Sequence, residues 1–249
     1  MANNPFVNDS IYDRYRQDAA QAIPMTEVMT REGTVRKALG YFAIVLTVAV
    51  VSWVLLGSSP QLAMGGMIVG MIGALVASIW TVFKKEHAPV AAPIYAVFEG
   101  VFLGTISGVF NAMIPGVVLN ATVITFGILG TMLAAYKFQW IRVTEKFRSI
   151  IVGATVAIAL CYVVSMVMQM FGMKDIMFLH NTGPIGIGVS LFVIVIASMN
   201  FLLDFDNIDR GTEARLPKYF EAYLAMSVII TLVWVYIEVL RLLSKLNRN

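Results

Sequence analysis

The chain has 249 residues, of which 59% are hydrophobic and 13% charged, with a formal net charge of +3 and a mean hydropathy of +0.79. A water-soluble globule of this size needs far more polar surface, so the composition excludes a soluble enzyme and predicts an all-α polytopic membrane protein. The basic excess follows from topology and gives no case for nucleic acid.

Residues 1–37 read as a cytoplasmic arm, with 38–249 as the transmembrane domain. In the arm, Ser10 to Asp13 resembles a capping box, and Pro24 with Thr26 is placed to open a second short helix. The start of the chain is polar and no cleaved signal peptide is expected, so the first apolar segment directs insertion.

Seven apolar segments follow, at about 38–56, 62–83, 93–114, 119–136, 149–171, 184–210 and 219–243. The charge-free runs from Ala38 to Phe83 and from Ser149 to Met173 exceed the roughly 20 residues that cross a bilayer. Gly57 to Gln61 breaks the first long run into a hairpin; Lys84 to His87 with Pro89 and Pro93 makes the second turn, and Ile114 to Gly116 the third. Fourteen lysines and arginines then fall on the side of the arm, against Lys174 in the loops of the other. That asymmetry puts the N-terminus in the cytoplasm. Lys245 and Arg248 in the tail run against it, which leaves a re-entrant last segment as the alternative to seven crossings.

Gly100, Gly104 and Gly108 recur at four-residue intervals in the third segment, and Gly66 and Gly70 in the second. Such spacing lines one helix face and lets a neighbouring backbone approach closely. The single cysteine, Cys161, lies inside an apolar run and reads as a small core residue. His87 and His180 fall in loops on opposite sides, and no spacing suggests zinc, a phosphate loop or a catalytic triad. Neither an enzyme nor a bound cofactor is expected.

The specific signal is the set of acids inside apolar runs: Glu99, Asp204 and Glu238. A carboxylate in hydrocarbon is costly unless paired, hydrated or protonated, and by default marks an ion or proton path. Counted from Pro93 and Gly211, Glu99 and Asp204 lie at matching depths of roughly 9 and 10 Å from one end. Glu238 lies some 30 Å along the last helix and is placed to pair with Arg241 one turn on. Two carboxylates sharing a desolvated site hold a proton between them near neutral pH, and their oxygens suit transient calcium. Asn200 and Asp206 are candidates to add oxygens.

Three stretches, Leu203 to Ile208, Pro93 to Ser107 and Leu232 to Leu243, resemble the Bax inhibitor (transmembrane Bax inhibitor motif) family, most of all its bacterial branch with an extended N-terminal arm. The resemblance implies seven helices with the last one central, an inner-membrane location and, in some members, a pH-sensitive calcium leak. It implies that an acid late in helix 6, matched by Asp204, pairs with an acid in helix 7, for which the pattern picks Glu238 by one alignment and Thr231 by another. Glu99 matches an acid that members often carry early in helix 3. The intramembrane arginine latch of some members has no counterpart, because no Lys or Arg occurs between Pro89 and Tyr136. Two functions follow as expectations: a proton-gated cation leak or exchanger, or a non-transporting partner of a membrane protease or quality-control complex that works through the arm.

Overall fold

A computed structural model describes residues 28–56, 59–171 and 183–247. Ser10 to Asp13, Pro24, Thr26, Lys174, His180 and Arg248 lie outside the described residues. Seven helices among the described residues are long and apolar enough to cross a membrane. They are α1 (Arg31–Leu56), α2 (Pro60–Phe83), α3 (Ala88–Met113), α4 (Val117–Lys137), α5 (Glu145–Met170), α6 (Pro184–Glu213) and α7 (Phe220–Leu246). Helices meet every backbone polar group from within, which is what a hydrocarbon solvent demands. The protein is a multi-pass, all-α membrane protein.

Local chemistry sets the ends. The Ser59 hydroxyl accepts the Leu62 N–H at 3.3 Å and Pro60 takes the first position of α2, where a missing N–H costs nothing. Gly116, at φ 83°, supplies the left-handed residue before α4.

Several boundaries differ from the sequence expectation, three of them for reasons visible in the local structure. The first helix begins at Arg31, inside the expected arm, because the Thr30 hydroxyl accepts the Gly33 N–H at 2.9 Å and caps it. The third begins at Ala88: Lys85–His87 form one tight 3-10 turn, Pro89 falls in the first helical turn, and Pro93 is carried inside the helix. The sixth runs through Gly211 to Glu213. Its left-handed end residue is Arg215, at φ 53°, with Leu216 N–H donating to the Gly211 carbonyl and Arg215 N–H to that of Thr212, each at 3.1 Å. Gln139, at φ 55°, ends α4 the same way.

The chain forms two compact units. Unit 1 holds α1, α2, α3, α6 from Asp204 onward and α7 up to Ile230. In it α3 packs against both α1 and α2. A Cβ on Gly104 would run into the backbone of Ala49 in α1, and one on Gly70 of α2 would sit 2.5 Å from the Phe102 nitrogen in α3. The glycine stripes are therefore helix contacts, as the spacing predicts. Unit 2 holds α4, α5, the start of α6 to Leu203 and α7 from Thr231. Its core is aliphatic, with Ile151, Ile158, Val193, Ile196 and Leu203 packed against Phe147, Tyr162 and Trp234. Of the seven spans α7 is the most buried, 72% of its apolar window against 17–22% for α1, α2, α4 and α5.

Candidate functional site

In unit 1, Glu99 is buried on α3, and one turn earlier Tyr95 is its hydrogen-bond partner. Asp204, buried on α6, accepts a 2.5 Å hydrogen bond from the Ser227 hydroxyl of α7. Tyr95 and Ser227 each offer a neutral hydroxyl. A hydroxyl donates to a carboxylate and can turn to accept from a carboxylic acid, so it serves either protonation state. Longer helices than expected carry both acids deeper: Glu99 lies about 16 Å from the start of α3 and Asp204 about 13 Å from the end of α6. These ends share one side of unit 1. The Lys85 ammonium, just before α3, lies 5.5 Å from the Tyr223 ring in the first turn of α7, and α7 follows α6 through a short turn.

A second polar group occupies that side. Glu221 on α7 accepts the backbone N–H and hydroxyl of Thr30 at 3.0 and 3.1 Å and pairs with Lys37 at 3.0 Å. Arg31 pairs with Asp209 at 3.3 Å, and Arg210 lies 3.9 Å from Asp206. Asp206 thus has a cation of its own helix beside it.

In unit 2, Glu238 is buried and accepts from the Tyr162 hydroxyl at 2.6 Å and from Arg241 at 3.0 and 3.3 Å. Arg241 also donates to the Tyr162 oxygen at 2.7 Å and lies 5.1 Å from that ring's centroid. The i,i+3 pair suggested by the sequence forms, with a tyrosine of α5 as its third member. Asn200 donates to the Thr155 hydroxyl and the Ile196 carbonyl, each at 2.9 Å, tying α6 to α5. Lys245 donates to the Gly186 carbonyl at 3.0 Å and the Ser190 hydroxyl at 2.9 Å. Among the described residues no group of three or more His, Cys, Asp and Glu is arranged to hold a metal ion.

Residues 4–248, nearly the whole chain, match the sequence model of the family described as Bax inhibitor 1 like. The chain belongs to that family. A search of curated proteins gives no match. In this Bax inhibitor 1 like protein the hydroxyl on α7 that meets Asp204 is that of Ser227, one turn before Thr231 and about three turns before Glu238.

Among the residues that sequence reasoning missed are Ser227, Tyr162 and Glu221. Ser227 had a faint signal, a serine four residues before Thr231 in an apolar run, and so on the same helix face. Tyr162 had none, since an aromatic in a membrane helix reads as packing. Glu221 read as the edge of the last segment, because its partners lie nearly two hundred residues away in sequence.

Proposed function

We propose that this protein passes a cation across the bacterial inner membrane, as a leak or an exchanger controlled by protonation of Glu99 and Asp204, with the N-terminus in the cytoplasm. One observation carries the reading: two carboxylates buried at similar depth in one unit, each against a neutral hydroxyl. A carboxylate so placed can gain a proton or meet a hard cation, and calcium favours oxygen ligands of this kind. Glu238, paired with Arg241 and bonded by Tyr162, is a structural group in this reading. Calcium here is cargo.

The test is calcium entry into liposomes containing the purified protein, across about pH 6 to 8. Wild type is expected to respond to pH, and Asp204→Asn or Glu99→Gln to flatten the response. Flux that ignores both substitutions overturns the reading.

A second reading is a non-transporting partner of a membrane protease or quality-control complex, engaged through the N-terminal arm. It is favoured by the fastening of Thr30 to Glu221, which joins the root of the arm to α7. Deleting residues 1–27 should then release every co-purifying membrane protein; partners that remain remove this reading.

A further inference from the structure

The first turn of α1 lacks the glutamate that would complete a capping box, since its third position is Gly33. The carboxylate comes instead from Glu221, which takes the Thr30 N–H as a glutamate at that third position would. Gly33 is what admits it: a Cβ there would collide with the Glu221 carboxylate. The second Glu221 oxygen meets Lys37. Upstream, Val28 forms an antiparallel bridge with Pro217, and Met29 N–H donates to the Leu216 carbonyl at 2.8 Å. The Met29 sulfur packs over Gly211 beside Leu216 and Leu224. Arg31 adds the contact to Asp209.

Every one of these bonds ends on the last turns of α6, the α6–α7 turn or the first turn of α7, the elements that bring Asp204 to Ser227. The cationic side chains of the fastening are open to water, Arg31 at 61% and Lys37 at 31%, while the Glu221 side chain is 3% exposed. Losing the one buried carboxylate therefore unties several bonds together.

We propose that residues 28–37 form a strap, fastened by a capping box shared between α1 and α7, that controls access to Asp204. Fastened, it fixes the α6–α7 turn and keeps Ser227 on Asp204; released, it lets that helix pair part and water reach the acid. This rests on the reading of Asp204 as an ion and proton site, and it makes the arm root the point at which the site is regulated.

The test uses full-length protein in liposomes with Cys161→Ala as background. Val28→Cys with Pro217→Cys places two thiols across a bridge whose spacing suits a disulfide. Oxidation should cross-link them readily, and adding Glu221→Ala should slow the reaction about fivefold, the population change that loss of one helix cap produces. An unchanged rate overturns the strap. Coupling is read separately by the reaction of Ser227→Cys with a water-soluble maleimide. Glu221→Ala should raise that rate about fivefold, and Thr30→Ser, which keeps the hydroxyl, should leave it at the wild-type value. A rate indifferent to Glu221→Ala, or raised equally by Thr30→Ser, overturns the coupling. Because the labelling needs no ion flux, an absence of calcium entry in wild type would count against the transport reading alone. Where flux is present, closing the Val28–Pro217 cross-link should reduce it and a reductant should restore it; flux unaffected by the cross-link overturns the gating role.

Discussion

The two units solve the same problem, helices packed in lipid around buried acids, in opposite ways. Unit 1 brings backbones together through glycines on α2 and α3 and sets Glu99 and Asp204 against hydroxyls. Unit 2 packs branched aliphatic side chains and sets Glu238 against a guanidinium. Its glycines Gly127, Gly130, Gly153 and Gly188 have open space where a Cβ would stand. The contrast is one of partners, neutral hydroxyls beside the acids of unit 1 and a cation beside the acid of unit 2.

The largest expected effect falls on the held acid. Arg241→Met strips the cation from buried Glu238 and should lower stability by about 3 kcal/mol, the low end for a broken buried pair because Arg241 is itself 28% exposed. Thermal unfolding in detergent measures it. Adding Glu238→Gln should recover most of the loss, since an uncharged amide needs no counter-ion and Tyr162 can still bond it. Failure to recover would mean that Glu238 acts other than as one half of an ion pair. Next comes Gly104→Ala, which drives a methyl into the Ala49 backbone of α1 and should cost about 2 kcal/mol, because a backbone cannot step aside as a side chain can.

Asp204→Asn should be mild in the same assay. The amide keeps an oxygen for the Ser227 hydroxyl, so the loss should stay under about 1 kcal/mol while the pH response of flux disappears. A stability loss as large as that of Arg241→Met would make Asp204 a structural acid and erase the difference between the units.

What the sequence made legible follows from what is local. Seven spans, the glycine faces and the Glu238–Arg241 pair all rest on composition and on helical spacing within one segment, and all appear in the structure. Helix ends were legible only where proline or glycine marks them. Arg215 and Gln139 close helices in the left-handed conformation without being glycine, and Gly211, from which the depth of Asp204 is counted in the sequence, is a point of close approach to Met29 inside α6. The site itself depends on partners distant in sequence. Ser227 meets Asp204 and Glu221 meets Thr30 only because of how helices pair, and no spacing within one helix encodes that.

The smallest effect is the sharpest control on the comparison. Gly153→Ala adds the same methyl as Gly104→Ala to a membrane helix of similar length, but on α5 that methyl meets no atom within 4 Å. Only the intrinsic term remains, and alanine exceeds glycine in a helix by at most about 1 kcal/mol in water. In lipid the gain should be smaller, because the backbone bonds of α5 have no competing solvent. Unfolding temperature should stay level or rise slightly for Gly153→Ala and fall clearly for Gly104→Ala. If both substitutions destabilised the protein equally, small residues would serve the two units alike, and the division into a glycine-packed unit and an aliphatic unit would fail.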